Sequence, residues 1–351
     1  MSTGPGMSLD TLALVESPAQ LLHVLEWCHA GQSAARTRLV ILNPTDPVTV
    51  AQLRSMAEFA AEEGIETEWF APRASALAGL RTIATLRGAV AGARRLVIGD
   101  PFSGMIQALL PFAKASEVVV VDDGTATLEF ASQVEHGGSL RRWDASPGTG
   151  ILRVPLARNA RSFFASGRLR LFTVMTVTSL PGSRIQRHGY DWTRRRFGPP
   201  VRLRGLDVIG SSLVESGVVE AESYLDAVAA LAVDAGAGGR YFAHRREDPD
   251  KLRRLAQRSG LRIVRPTVPL EVELRRGPVA TQLASFPSSV GYTLPLVLAG
   301  VGTRIAVQPL PEKMIRPHVT AGARAFLDRM AEDMRRAASD LGVGAYELTS
   351  A

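Results

Sequence analysis

Four consecutive valines, Val118 to Val121, run without a polar interruption into Asp122, Asp123 and Gly124. A strand with one wet face alternates polar and apolar side chains, whereas a strand apolar at every position needs cover on both faces. A parallel sheet flanked by helices supplies that cover. The pattern recurs in TRLVILNP (residues 37–44), RRLVIGD (94–100) and, less purely, ETEWFAP (66–72). Between these runs, TVAQLRSMAEFAAEEG (49–64), ALAGLRTIATLRGAVAGA (76–93) and GMIQALLPFAKA (104–115) carry apolar residues at helical spacing. SPAQLLHVLEWCHA (17–30) reads as a helix before them, with Ser17 and Pro18 placed as N-cap and first residue. Strands alternating with helices in this way predict a Rossmann-like α/β half.

The rhythm fades between 145 and 200, where RLRLFTVMTV (168–177) is one more expected strand and SLPGSRIQRHGYDWTRRRFGPP (179–200) reads as a linker. It resumes with strands at LDVIG, RYFAHR, LRIVRP and TRIAVQPL and helices at EAESYLDAVAALAVDAG, DPDKLRRLAQRSG, VGYTLPLVLAG and ARAFLDRMAEDMRRAASDLG. VATQLASFPS (279–288) reads as helix or irregular chain. The expected organisation is an N-terminal segment with a first helix (1–36), a Rossmann-like domain (37–180), a linker (181–205) and a second Rossmann-like domain (206–351). In folds of this kind ligands bind at the carboxyl ends of the strands, so a cleft between two parallel sheets is the expected site.

Several function classes fall away. No apolar run approaches the roughly 18–20 residues of a membrane span, and the N-terminus lacks a basic region followed by an apolar one, so a cytoplasmic protein is expected. Cys28 is the single cysteine and can form neither an internal disulfide nor a thiolate cluster. The formal charge of +7 invites a nucleic-acid reading. Yet only Lys114, Lys251 and Lys313 are lysines, the arginines are dispersed, and no recognition module appears, so no nucleic-acid partner is expected. The densest basic cluster, Arg194 to Arg196, reads as a solvated basic loop, with a role toward an anionic substrate or a membrane surface as the alternative.

No glycine follows the first expected strand, LVILNPTDP, which removes the dinucleotide fingerprint, and no Gly-Lys-Ser/Thr loop exists. The glycines at 236–239 and 300–302 follow helices and read as C-caps. The six histidines are never paired one helical turn apart, so no dedicated metal site is expected.

Four short motifs remain. Asp122 and Asp123, followed by Gly124, end a strand, where a carboxylate can be tuned to take a proton; a plain turn would use the same residues. His244 ends a strand just before a helix starting near Asp248 or Pro249, placed to donate to a phosphate or merely to pack. Ser288 and Ser289 open an apolar helix, as its cap or as donors to an anion. Glu271, just past a strand end, suits ribose hydroxyls or simple solvation.

Taken in order, DDG at 122–124, HR at 244–245 and SS at 288–289 resemble the shared signatures of the bacterial sialyltransferases of GT-B architecture, the lipooligosaccharide sialyltransferase-like and alpha-2,8-polysialyltransferase-like groups. The resemblance spans residues 38 to 310, with Arg245 where the His-Pro signature has proline. It implies two Rossmann-like domains with parallel sheets facing a central cleft. It also implies inverting, metal-independent transfer of sialic acid or a related nonulosonic acid from its CMP conjugate to a glycan or glycolipid hydroxyl, with no cofactor. By the same resemblance Asp122 is the general base and Asp123 shapes its surroundings. His244 stabilises or protonates the departing phosphate with Ser288 and Ser289, Glu271 holds the ribose, and Gly124 and Arg245 complete the site. A positive field suits a donor carrying phosphate and carboxylate, and a lipid-linked acceptor would bring peripheral membrane contact. A UDP- or GDP-sugar transferase and a non-catalytic nucleotide- or glycan-binding module remain the alternatives.

Overall fold

The computed structural model describes residues 10–31, 33–137, 140–141, 153–177, 179–235 and 238–340. The chain forms two compact units, residues 1–192 and 193–351, each built on one sheet in which every strand pair is parallel.

The first unit runs β1 (Thr11–Val15), α1 (Pro18–Gly31), β2 (Thr37–Leu42), α2 (Pro47–Glu62), β3 (Glu66–Phe70), α3 (Ala76–Gly92), β4 (Arg95–Ile98), α4 (Gly104–Leu109), β5 (Glu117–Val121), α5 (Ala126–His136), α6 (Arg153–Phe164), β6 (Leu169–Thr173) and β7 (Arg184–Arg187). Its strand order is β3-β2-β1-β4-β5-β6-β7. Leu12 to Val15, Leu39 to Leu42, Leu96 to Ile98 and Val118 to Val121 are buried, as strands covered on both faces require. The helices start where capping chemistry places them. Asp46 accepts from the Thr49 N–H at 2.7 Å with Pro47 as the first residue of α2, and Ser75 accepts from the Ala78 N–H at 3.0 Å ahead of α3.

Helix α7 (Asp191–Phe197) contains the boundary between the units. The second unit continues with β8 (Arg202–Ile209), α8 (Ala221–Ala235), β9 (Arg240–Phe242), α9 (Pro249–Ser259), β10 (Arg262–Val264), α10 (Leu270–Arg276), β11 (Val279–Ser285), α11 (Val290–Val297), β12 (Arg304–Val307) and α12 (Ala321–Asp340). Its order is β10-β9-β8-β11-β12. Asp248 caps α9 by accepting from the Asp250 and Lys251 N–H groups at 2.8 and 3.1 Å. Three central strands are tied by a buried pair: Arg240 Nε on β9 donates to Asp207 Oδ1 on β8 at 2.8 Å, and Asp207 Oδ2 accepts the Ala280 N–H of β11 at 3.0 Å.

The structure departs from the sequence expectations in three places. The described part of the expected N-terminal segment, from residue 10 on, does not stand apart: β1 lies between β2 and β4 in the middle of the first sheet. The stretch 181–205 is not a plain linker, since it holds β7, α7 and the start of β8. VATQLAS is a strand, β11, paired with β8 on one side and β12 on the other. No helix among the described residues is long and apolar enough to cross a membrane.

Candidate functional site

In each sheet the strand order reverses at one place, where a crevice opens at the carboxyl ends and ligands bind in open α/β folds. In the first unit that place is between β1 and β4, and in the second between β8 and β11.

At the first reversal the residue after β1 is Glu16, 9% exposed, which accepts from Arg73 Nη2 and Ser103 Oγ, each at 2.7 Å. Burial raises its carboxyl above the usual range, while Arg73 and the Ser103 hydroxyl oppose the shift. Gln20 Oε1 accepts the Glu16 N–H at 2.7 Å, and its side chain lies so close to Gly99 that a Cβ there would come within 2.3 Å of it; only glycine fits after β4. Sequence reasoning missed Glu16 because the strand before it went unrecognised, so the residue ahead of the Ser17–Pro18 helix start did not read as a strand end.

Asp122 and Asp123 follow β5 as expected, but their environments differ. Asp122 is fully buried. Thr173 Oγ1 donates to its Oδ1 at 2.5 Å and the Val174 N–H to its Oδ2 at 2.6 Å, which fastens the end of β5 to the end of β6. Burial lifts its carboxyl to about 6 against the pull of those hydrogen bonds. Asp123 is half-buried, and its charge reaches Glu16, His23 and Asp122. Gly124, at φ +62°, provides the left-handed turn by which the chain leaves the strand for α5.

Behind the acid pair lies a cluster that spacing along the chain could not reveal. His23 on α1, His188 beyond β7 and Asp122 bring three potential ligand atoms within 4.8 Å of one another. Hydrogen bonding already accounts for the ring nitrogens. The Tyr190 N–H faces His188 Nδ1 at 3.4 Å, His188 Nε2 meets His23 Nδ1 at 3.2 Å, and His23 Nε2 meets Tyr190 Oη at 3.4 Å. One proton arrangement satisfies all three contacts with both rings neutral, in line with burial pushing His23 down to about 4 and His188 well below its ordinary value. Phe172 stacks flat on His188 at 4.4 Å. The cluster packs as a polar core behind the acids.

In the second unit, His244 lies two residues beyond β9, in the turn leading to α9. The Arg246 N–H donates to its Nδ1 at 3.2 Å, which leaves the ring proton on Nε2. Burial, followed by Arg245, Arg246 and Lys251, lowers its pKa to about 3, so the imidazole is a neutral donor. Glu247 clamps the turn: its Oε2 accepts the His244 N–H at 2.6 Å and its Oε1 accepts from Tyr241 Oη at 2.6 Å and lies 2.8 Å from Lys251 Nζ. Gly210, the first residue after β8, passes so close that a Cβ would come within 2.3 Å of Glu247 Oε2.

Glu271 stands in the first turn of α10, past the end of β10, with its carboxyl raised by burial. Its Oε1 accepts from Thr293 Oγ1 on α11 at 2.7 Å, and the charge of Arg245 acts on it. Three of the sequence motifs are thereby drawn together: the turn after His244, the start of α10 and the start of α11. Ser289 occupies the N-cap position of α11 but makes no side-chain capping bond, and Ser288 Oγ is buried with no partner among the described residues. An uncapped helix start beside an unsatisfied hydroxyl suits an anion.

No protein-family model matches the chain, and no curated protein does. Among solved structures the chain is similar to an α/β-galactoside α-2,3-sialyltransferase from the luminous marine bacterium Photobacterium phosphoreum, at 9% identity over 95% of each chain with a TM-score of 0.48. It is similar to the E. coli heptosyltransferase WaaC with ADP-2-deoxy-2-fluoro heptose, at 14% identity over 91% of this chain and 99% of that one, TM-score 0.40. S. aureus MnaA with UDP is similar at 9% identity, 95% and 91% covered, TM-score 0.48. At these identities and TM-scores they assign neither donor nor reaction.

Proposed function

We propose that the chain is an inverting glycosyltransferase that moves sialic acid, or a related nonulosonic acid, from its CMP conjugate to a hydroxyl of a glycan. One observation carries the reading: at the β8–β11 reversal, α11 begins uncapped beside the partnerless Ser288 Oγ. The turn holding a neutral His244 and the first turn of α10 converge near the same helix through Arg245, Glu271 and Thr293. This is a set of fixed donors for a phosphate with a carboxylate beside it for a ribose.

In this reading the bond between the anomeric carbon and the phosphate oxygen breaks, and its electron pair stays on CMP. The Nε2–H of His244, the hydroxyls of Ser288 and Ser289 and the Val290 amide that opens α11 donate to the phosphate as charge grows there, while the Gly291 and Tyr292 amides donate to the carbonyls of Ser288 and Ser289. Because His244 is neutral and its Nδ1 is already engaged, it acts by donation rather than as an acid. Glu271 keeps one oxygen for ribose hydroxyls, and Arg245 suits the donor's carboxylate. The acceptor oxygen attacks the anomeric carbon and gives its proton to a carboxylate. Of the two acids after β5 we assign this role to Asp123, because Asp122 is fully enclosed with both oxygens bonded and suits positioning the turn. Glu16, with Arg73 and Ser103, provides acceptor contacts at the same strand ends. The groups of the chain complete the chemistry, with the CMP-activated sugar as donor substrate.

The test is donor discrimination by purified full-length protein, with and without EDTA. A nucleotide held at 100 times its dissociation constant raises stability by about 2.7 kcal/mol. CMP should shift unfolding more than UDP or GDP, and CMP-sialic acid should turn over to CMP. A larger shift with UDP would reassign the donor, and binding without turnover of any sugar nucleotide would make the chain a binding module.

A further inference from the structure

Helix α3 directs Thr82, Leu86 and Val90 inward, which is one stripe at helical spacing. Its opposite face is not the polar surface that a solvated helix presents. Leu77 and Leu80 are 55% and 65% exposed, and Phe112, on the segment that packs beside α3, is 38% exposed. Interspersed with them are Arg81, Arg87 and Lys114, all exposed and none with an ion-pair partner among the described residues. Between Ala71 and Ser116 the chain has six cations and one acid, Asp100, which is buried. Exposed leucines grouped with Phe112 in one patch are costly to leave in water, and the cations among them lie on a stretch whose one acid is buried.

We infer that this face docks on a bilayer rich in anionic headgroups. A nucleic acid would engage the arginines and leave Leu77 and Leu80 wet. An apolar protein surface would cover the leucines and leave the cations unmatched. An anionic lipid surface takes both, with the leucines and Phe112 entering the acyl boundary and the cations meeting headgroup phosphates. The position has a consequence for the reaction. Arg73, which bonds Glu16 at the carboxyl edge of the first sheet, lies just ahead of the Ser75 cap of α3, so the apolar face begins about one turn from those acceptor contacts. The face would present that edge to a glycan carried on a lipid. Only this last point rests on the transferase reading; docking itself does not.

The experiment is co-sedimentation of purified full-length protein with phosphatidylcholine vesicles, with or without 30% phosphatidylglycerol, at low and high salt. Wild type should pellet with the anionic vesicles, not with the neutral ones, and should be released by salt. Neutralising both arginines (Arg81→Gln with Arg87→Gln) should weaken binding about thirtyfold, at roughly fivefold per cation. Leu77→Ser with Leu80→Ser should also weaken it. Both variants should keep the wild-type melting temperature and turnover of a soluble acceptor, because these side chains lie outside the core and the site. Failure of wild type to pellet with anionic vesicles, or undiminished binding by both variants, overturns the inference. So does a dimer that the leucine variant dissolves in the absence of vesicle binding. Docking by a protein that turns over no sugar nucleotide would retain the surface and reject the transferase.

Discussion

Thr173 Oγ1 donates to Asp122 Oδ1 at 2.5 Å, and through that bond the first acid of the pair becomes part of the sheet's wall. Asp122→Asn preserves the shape: the amide oxygen can face the Val174 N–H, and the amide nitrogen can donate to the Thr173 hydroxyl. Transfer should survive in Asp122→Asn and fall by at least a hundredfold in Asp123→Asn, on the scale of general-base catalysis. Steady-state CMP release measures both. Loss of transfer in Asp122→Asn with Asp123→Asn active would return the base to Asp122.

The same burial makes stability depend on pH. The folded Asp122 carboxyl titrates near 6 against 3.8 for the free side chain, so the folded state holds the proton more tightly. Its contribution is fully present below about pH 4 and is lost as pH rises through 6, about 3 kcal/mol in all. Urea unfolding at pH 4.5, 6 and 8 should show a smaller loss over that window in Asp122→Asn than in wild type.

His244 should not titrate in the neutral range. Its pKa of about 3 predicts that the ring proton signals stay constant from pH 8 to pH 5 in NMR, and that donor affinity shows no inflection near 6.5. His244→Ala should cost about 10- to 100-fold in kcat/KM for the CMP donor, the value of a hydrogen bond to a charged group. An inflection near 6.5 that disappears in the alanine variant would show a protonated, acid-type histidine.

Ser288 separates stability from function. Its Oγ is buried and satisfied by nothing among the described residues, so Ser288→Ala should leave the melting temperature unchanged or raise it. The same variant should weaken CMP binding about tenfold, measured by calorimetry. A destabilised variant with unchanged CMP affinity would mark the hydroxyl as structural.

Asp207 tests the core of the second unit. Its pairing with Arg240 is almost fully enclosed, at 3% and 7% exposure. Asp207→Ala leaves the guanidinium uncompensated and should cost about 3–5 kcal/mol in denaturant unfolding.

The α/β class was legible because strands such as Val118 to Val121 are apolar without interruption, and only a doubly covered sheet tolerates that. β11 was not, because Thr281 and Gln282 break the run where its register against β8 shifts. β1 escaped because it is only five residues long and follows directly on the start of the chain, so the Ser17–Pro18 step marked the helix after it but nothing marked the strand before it. The acid pair, His244 and the Ser288–Ser289 step were visible as strand ends and helix starts, which local chemistry marks. Their different surroundings were not, since a row of letters does not say that Asp122 is enclosed and Asp123 only half-buried. Glu16 with Arg73, and His23 with His188, join residues 57 and 165 positions apart, and no spacing rule reaches that far.

The strand Thr11–Val15 pairs with β2 on one side and with Arg95–Ile98 on the other. A ribosome adding about 5–20 residues per second delivers the second partner only several seconds after the first. During that interval one flank of a ribbon destined for full burial has nothing to bond to, so synthesis rate and chaperone supply, more than final stability, should govern how much of this protein a host recovers in usable form.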